Sequence, residues 1–218
     1  MTLFPPGSFL PADPWKWVHL SLSPHASHVA NVALTVALII GLAACVSADY
    51  RKHIYWTEQV RLSTGEVIVV TRGEKLRRTG EGLRNWWLFD EAWLEATLPG
   101  AGQTRWEGAL SPLVLDMTPE GEWYLLGVAV AARALRDYKL PEHKRYVTFK
   151  LRDGTWQRIP FSEFPETFKP NLLANTSRLF ESNDSLNGKL VDFETKRRVD
   201  SVPTLSPEFK RIDRLLGK

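Results

Sequence analysis

Residues 56–72 read Trp-Thr-Glu-Gln-Val-Arg-Leu-Ser-Thr-Gly-Glu-Val-Ile-Val-Val-Thr-Arg, two β-favouring runs on either side of a turn signal at Ser63–Glu66. Successive side chains of a strand point to opposite faces, so alternation of apolar and polar residues marks a half-buried strand. With Thr64-Gly65 as a two-residue loop, Leu62 faces Val67 and Val60 faces Val69, while Gln59 and Arg61 take the other side. The stretch predicts an antiparallel hairpin.

Similar signals recur further along. Leu113–Met117, the turn Thr118-Pro119-Glu120-Gly121 and Trp123–Ala132 predict a second hairpin. WYLLGVAVAA, at 123–132, is too short to cross a bilayer as a helix and fits a buried central strand. Tyr146–Leu151, Asp153-Gly154 and Thr155–Phe161 predict a third hairpin, with its register open between a two- and a three-residue loop. The glycines of these turns, 65, 121 and 154, are unevenly spaced, which excludes a propeller or solenoid of fixed period. Gly73–Asn85, charged and glycine-rich, reads as an exposed loop, and Pro99–Gln103 as a break. Prolines 165, 170, 203 and 207 and the polar stretch Ser182–Lys189 imply loops over one side of the sheet. Ser206 as cap, Pro207 at the first helical position and Glu208 in the first turn predict a helix over 207–216. Its Phe209, Ile212, Leu215 and Leu216 would share one face.

A different physics governs the N-terminal part. Of 28 basic and 25 acidic side chains, residues 1–48 hold only Lys16 and Asp13, so the net charge of +3 belongs to the remainder. Val29–Ala48 reads VANVALTVALIIGLAACVSA without a charge. Twenty residues at about 1.5 Å rise span about 30 Å, the thickness of a bilayer's hydrocarbon core. The expected organisation is a Pro/Trp-containing tail at 1–28, a transmembrane or lipoprotein-signal segment at 29–48 and a globular domain at 49–218. The fold class is then mainly β: a hydrophobic membrane or signal helix, followed by an antiparallel sheet or small sandwich with a short C-terminal helix. The lipid bilayer is the first partner expected.

Leu42-Ala43-Ala44-Cys45 resembles the lipobox of bacterial lipoproteins. The resemblance implies that the Cys45 thiol takes a diacylglyceryl group and that the chain is cut just before it. Two features oppose it: the tail lacks a positive n-region, and Arg51, Lys52 and Arg61 follow the segment. As a retained span, that flank would place the domain in the cytoplasm. Residues 49–218 contain no cysteine, which suits an oxidising compartment. Two arrangements therefore stand, a periplasmic domain held in the envelope and a single-pass inner-membrane protein with a cytoplasmic domain; the position of Cys45 favours the first. Trp56-Thr57-Glu58-Gln59-Val60 with Gly65-Glu66-Val67-Ile68 is also similar to the start of uncharacterised bacterial exported proteins, a resemblance that implies no activity and no site.

Chemistry is sparsely signalled. A hydrophobic content of 44% and nine Trp exclude disorder as the main state, and one cysteine excludes an internal disulfide. The small net charge, spread over both signs, argues against nucleic acid. No short nucleotide-binding or hydrolase signature occurs, and His25 and His28 lack a carboxylate partner, so no catalytic residue, cofactor or metal is assigned. One candidate ligand-binding cluster remains: Trp86, Trp87, Asp90, Glu91, Trp93 and Glu95. Aromatic surroundings can raise a carboxyl pKa, and aromatics beside acids compose sugar-binding surfaces. The simpler reading has the Trp rings filling the core and the acids facing water. The expected function is a membrane-anchored bacterial envelope protein, a non-enzymatic binding or structural β-domain whose partner is another envelope protein or a glycan. The alternatives are a membrane-anchored enzyme acting on glycans through the acids of 86–95, and a single-pass protein with a cytoplasmic interaction domain.

Overall fold

The computed structural model describes residues 51–79, 86–141, 143–174, 176, 188–201 and 207–213. The 29–48 segment, with Cys45, lies outside them, as does the N-terminal tail. Among the described residues no helix is long and apolar enough to cross a membrane.

The domain is mainly β. One sheet has the order β4-β3-β2-β1-β9, from β1 (Arg51–Arg61), β2 (Val67–Thr79), β3 (Trp86–Leu98), β4 (Gly102–Gly108) and β9 (Leu190–Val191). The second, β5-β6-β7-β8, comprises Ser111–Met117, Trp123–Val128, Tyr146–Arg152 and Thr155–Ile159. Within each sheet strands that follow one another in sequence pair antiparallel, and β9 joins its neighbour β1 in parallel. A helix α1 (Ala132–Asp137) follows β6, and α2 (Phe193–Asp200) and α3 (Pro207–Lys210) lie near the end.

The first hairpin forms where expected, but its register differs by one residue. The loop has three residues: Leu62 N–H donates to Glu66 O at 2.9 Å and Gly65 N–H to Leu62 O at 2.9 Å. Gly65 takes φ +91°, the left-handed position such a loop gives to glycine. Val60 therefore pairs with Ile68, and Arg61 with Val67. A one-residue shift exchanges the faces of a strand, so Ile68 and Val70 point inward while Val67 and Val69 stay exposed.

Of the stretch Gly73–Asn85, expected as loop, Gly73–Thr79 is strand and continues β2 against β3, and 80–85 lie outside the described residues. Gly73 is required there because a Cβ at that position would collide with the Trp93 indole crossing it. The third hairpin closes over Asp153-Gly154, with Arg152 paired to Thr155 and positive φ at both loop residues, 51° and 73°. β6 stops at Val128, short of the expected Ala132, because the chain turns into α1.

The inner faces of the two sheets share a core. Val60, Leu62, Ile68, Val70, Leu94 and Leu98 from the first meet Leu115, Trp123, Leu125 and Phe149 from the second. The opposite face of the second sheet is buried as well, where Tyr124, Leu126 and Val128 pack against Phe164 and Phe168. A strand covered on both faces needs no polar phase, which explains the continuous apolar run at Trp123–Val128.

The C-terminal helix begins at Pro207 as expected but makes only one turn, and 211–213 are not helical; 214–218 lie outside the described residues. The longer α2 carries no apolar stripe in FETKRRVD and went unsignalled. Asp192 caps it by accepting from Thr195 N–H at 2.8 Å.

Candidate functional site

All six residues of the Trp/acid cluster fall on β3, but the five whose side chains are described do not gather around one space. Trp86 heads the strand, and its side chain is outside the described set; Trp87 is 41% exposed beside it. Glu91, Trp93 and Glu95 share the outer face, each committed to a neighbour. Lys75 Nζ donates to Glu91 at 3.1 Å and to Glu107 at 2.7 Å. Arg105 bonds Glu95 and Glu107, and its guanidinium sits 5.0 Å from the Trp93 ring centroid. The bonds from Glu107 and Glu91 raise the Lys75 pKa, and those from Lys75 and Arg105 lower that of Glu107.

Asp90 parts from the row. Lys75 pairs with Glu91 and Leu76 with Phe89, which leaves Asp90 as the extra residue of a β-bulge. Its Oδ1 accepts from Arg133 Nη1 on α1 at 2.8 Å.

Beneath the first sheet lies a group that the candidate cluster does not include. Glu58, Arg72 and Glu74 occupy inward positions of β1 and β2 and are 0%, 1% and 2% exposed. Glu58 Oε2 accepts from Trp56 Nε1 at 2.7 Å and from Arg72 Nη1 at 3.2 Å. Its Oε1 accepts from Leu173 N–H at 3.1 Å and lies 3.2 Å from Lys196 Nζ on α2. Arg72 also donates to the carbonyls of Leu173 and Pro112, both at 3.1 Å. It thereby serves the irregular start of β5, where the register shifts after Pro112. One charged knot thus ties both sheets, the 171–174 segment and α2.

Burial alone would raise the Glu58 pKa, but Arg72, Lys196 and the two N–H donors outweigh it and hold Glu58 below its usual value. Glu74 lacks such support. Its hydroxyl partner is Thr176, and Oε1 has no partner among the described residues. Burial pushes its pKa up to about 7 despite the nearby Arg72. Burial likewise lowers Lys196, against the pull of Glu58.

A cleft of about 620 Å³ opens beside this knot, between the β1–β2 turn, residues 167–171 and the start of α2. Arg61, Leu62, Ser63, Asp116, Lys169, Pro170, Asn171, Phe193 and Lys196 contribute to its lining. Asn171 braces the wall: its side chain bonds both N–H and C=O of Leu115, at 3.0 and 2.8 Å, and closes part of the edge of β5. Asp116 Oδ1 accepts from Ser63 N–H, Ser63 Oγ–H and Met117 N–H within 2.8–3.0 Å and pins the hairpin turn. Burial raises the Asp116 pKa.

The sequence did carry a signal for the knot. Along Ile54, Trp56, Glu58, Val60 and Leu62, and along Ile68, Val70, Arg72, Glu74 and Leu76, charged residues interrupt the apolar phase of an alternating strand. Such positions must find partners or neutralise. The cleft had no comparable signal, because its residues come from four separated segments. Among the described residues no group of three or more His, Cys, Asp or Glu could hold a metal ion. No family model, curated protein or solved structure matches this chain.

Proposed function

We propose that this chain is a membrane-anchored bacterial envelope protein whose β-domain binds or braces a partner and performs no catalysis. The observation that carries this reading is the uncharged Val29–Ala48, long enough to span a bilayer, directly ahead of a chain rich in both charges. The pairing on β3 supports a non-catalytic role. Asp90, Glu91 and Glu95 each meet a cation, and carboxylates held in ion pairs are poor candidates for acid and base across a common substrate. Cys45 favours processing and a periplasmic domain; Arg51 and Lys52 favour retention and a cytoplasmic one.

A reporter active only after export, fused behind Lys218, separates the two. Export predicts an active fusion. Lipidation further predicts that wild-type protein incorporates a palmitate analogue and that Cys45→Ala abolishes the label. An inactive but intact fusion would mean that the positive flank prevails and the domain faces the cytoplasm.

A further inference from the structure

The cleft brings cations, one carboxylate and apolar side chains to a single opening. On the outer sheet face Lys75 and Arg105 are spent on carboxylates. Arg61 and Lys169, both exposed, pair with no carboxylate among the described residues, and Arg61 merely lies 4.9 Å from the Phe193 ring centroid. Lys196 also lines the wall but is spent on the Glu58 carboxylate at 3.2 Å and on Asn171 O, to which it donates at 2.6 Å. Against Arg61 and Lys169 stands a single lining carboxylate, Asp116. Its Oδ1 is saturated by three donors, while Oδ2 accepts no bond among the described residues. Leu62, Pro170 and Phe193 supply apolar wall.

We infer that this cleft captures the C-terminal end of a peptide, with the terminal carboxylate at Arg61 and Lys169, the last side chain on Leu62, Pro170 and Phe193, and an amide N–H donated to Asp116 Oδ2. A peptide terminus carries an anion, an apolar group and a donor within a few bonds, and capture of terminal carboxylates is a recurring mode of recognition. The volume suits it, since ligand clefts commonly enclose about 300–1,000 Å³. Inorganic phosphate fits poorly, because it would leave the apolar wall uncovered. The inference deepens the binding role proposed above by naming the ligand, and it does not depend on how the chain is anchored.

The test is calorimetric titration of the full chain in non-ionic detergent with acetyl-Ala-Ala-Leu as the free acid and as its C-terminal amide. The free acid should bind, and the amide should bind about tenfold or more weakly, the worth of a charge-assisted hydrogen bond. Arg61→Gln and Lys169→Gln should each weaken the free acid by about tenfold. Equal binding of acid and amide, or no binding of either at millimolar concentration, would overturn the inference. Because detergent replaces the bilayer here, a negative result removes the peptide ligand and leaves the anchoring role to its own experiment.

Discussion

Replacing Glu74 with glutamine is expected to stabilise the domain at pH 8 and to leave its stability unchanged near pH 4.5. Glutamine keeps the shape of the neutral acid and removes the charge that burial penalises. In the folded chain the Glu74 pKa is raised to about 7 from 4.5, so between these values the native state holds a proton that the unfolded chain has released. Stability contributed by the neutral acid is therefore complete below about pH 4.5, declines as pH rises toward 7, and is gone above it. A gap of this size corresponds to about 3 kcal/mol, or roughly 6–12 °C in melting temperature for a domain of this length. The groups facing Glu74 are Arg72 and Thr176, with the Glu58 carboxylate nearby. Subtracting the Glu74→Gln melting curve from the wild-type curve at each pH isolates this site from other titrations. Parallel curves across pH 4.5–8 would show that Glu74 finds a charged partner in the folded chain.

The second large effect concerns Arg72. Arg72→Met should cost about 3–5 kcal/mol, because it strips Glu58 of its principal cation while the carboxylate remains fully buried. Leu173 O and Pro112 O lose a donor in the same step. The double variant Glu58→Gln/Arg72→Met should be less damaging than Arg72→Met alone, since it removes the stranded charge. Urea unfolding followed by tryptophan fluorescence measures both. A double variant costing the sum of the two single ones would mean that the pair does not act as a unit.

Much of the fold was legible in the strands. Turn chemistry at Thr118–Gly121 and Asp153-Gly154 located two hairpins, because both turns are closed by local glycines at positive φ. Two of the errors share one physical origin, the rescue of local pattern by distant partners. Gly73–Thr79 reads as loop because of its charges, yet Glu74 is buried and Lys75 is held by Glu91 and Glu107 from β3 and β4. Residues of α2 show no apolar face, and its buried side chain is Lys196, anchored by a carboxylate 138 positions earlier. The register of the first hairpin turned on a single residue in its loop, which alternation cannot count when both Val67–Val70 phases are apolar.

The candidate site was less legible. Trp93 stands beside acids along the strand, but pairing determines what acids can do, and the pairs to Lys75, Arg105 and Arg133 link residues 10 to 43 positions apart. The knot left a readable trace as charges in an apolar phase, whereas the cleft exists only once the β1–β2 turn, residues 167–171 and α2 come together.

Attachment to a membrane through residues 29–48 is the claim on which the function rests. Its most direct test is alkaline extraction of membranes from cells producing the full chain or a chain lacking 29–48. The full chain should remain with the sedimented membranes, and the deleted chain should be recovered in the supernatant. A full chain released by alkali, or a deleted chain that still sediments with the membranes, would contradict it.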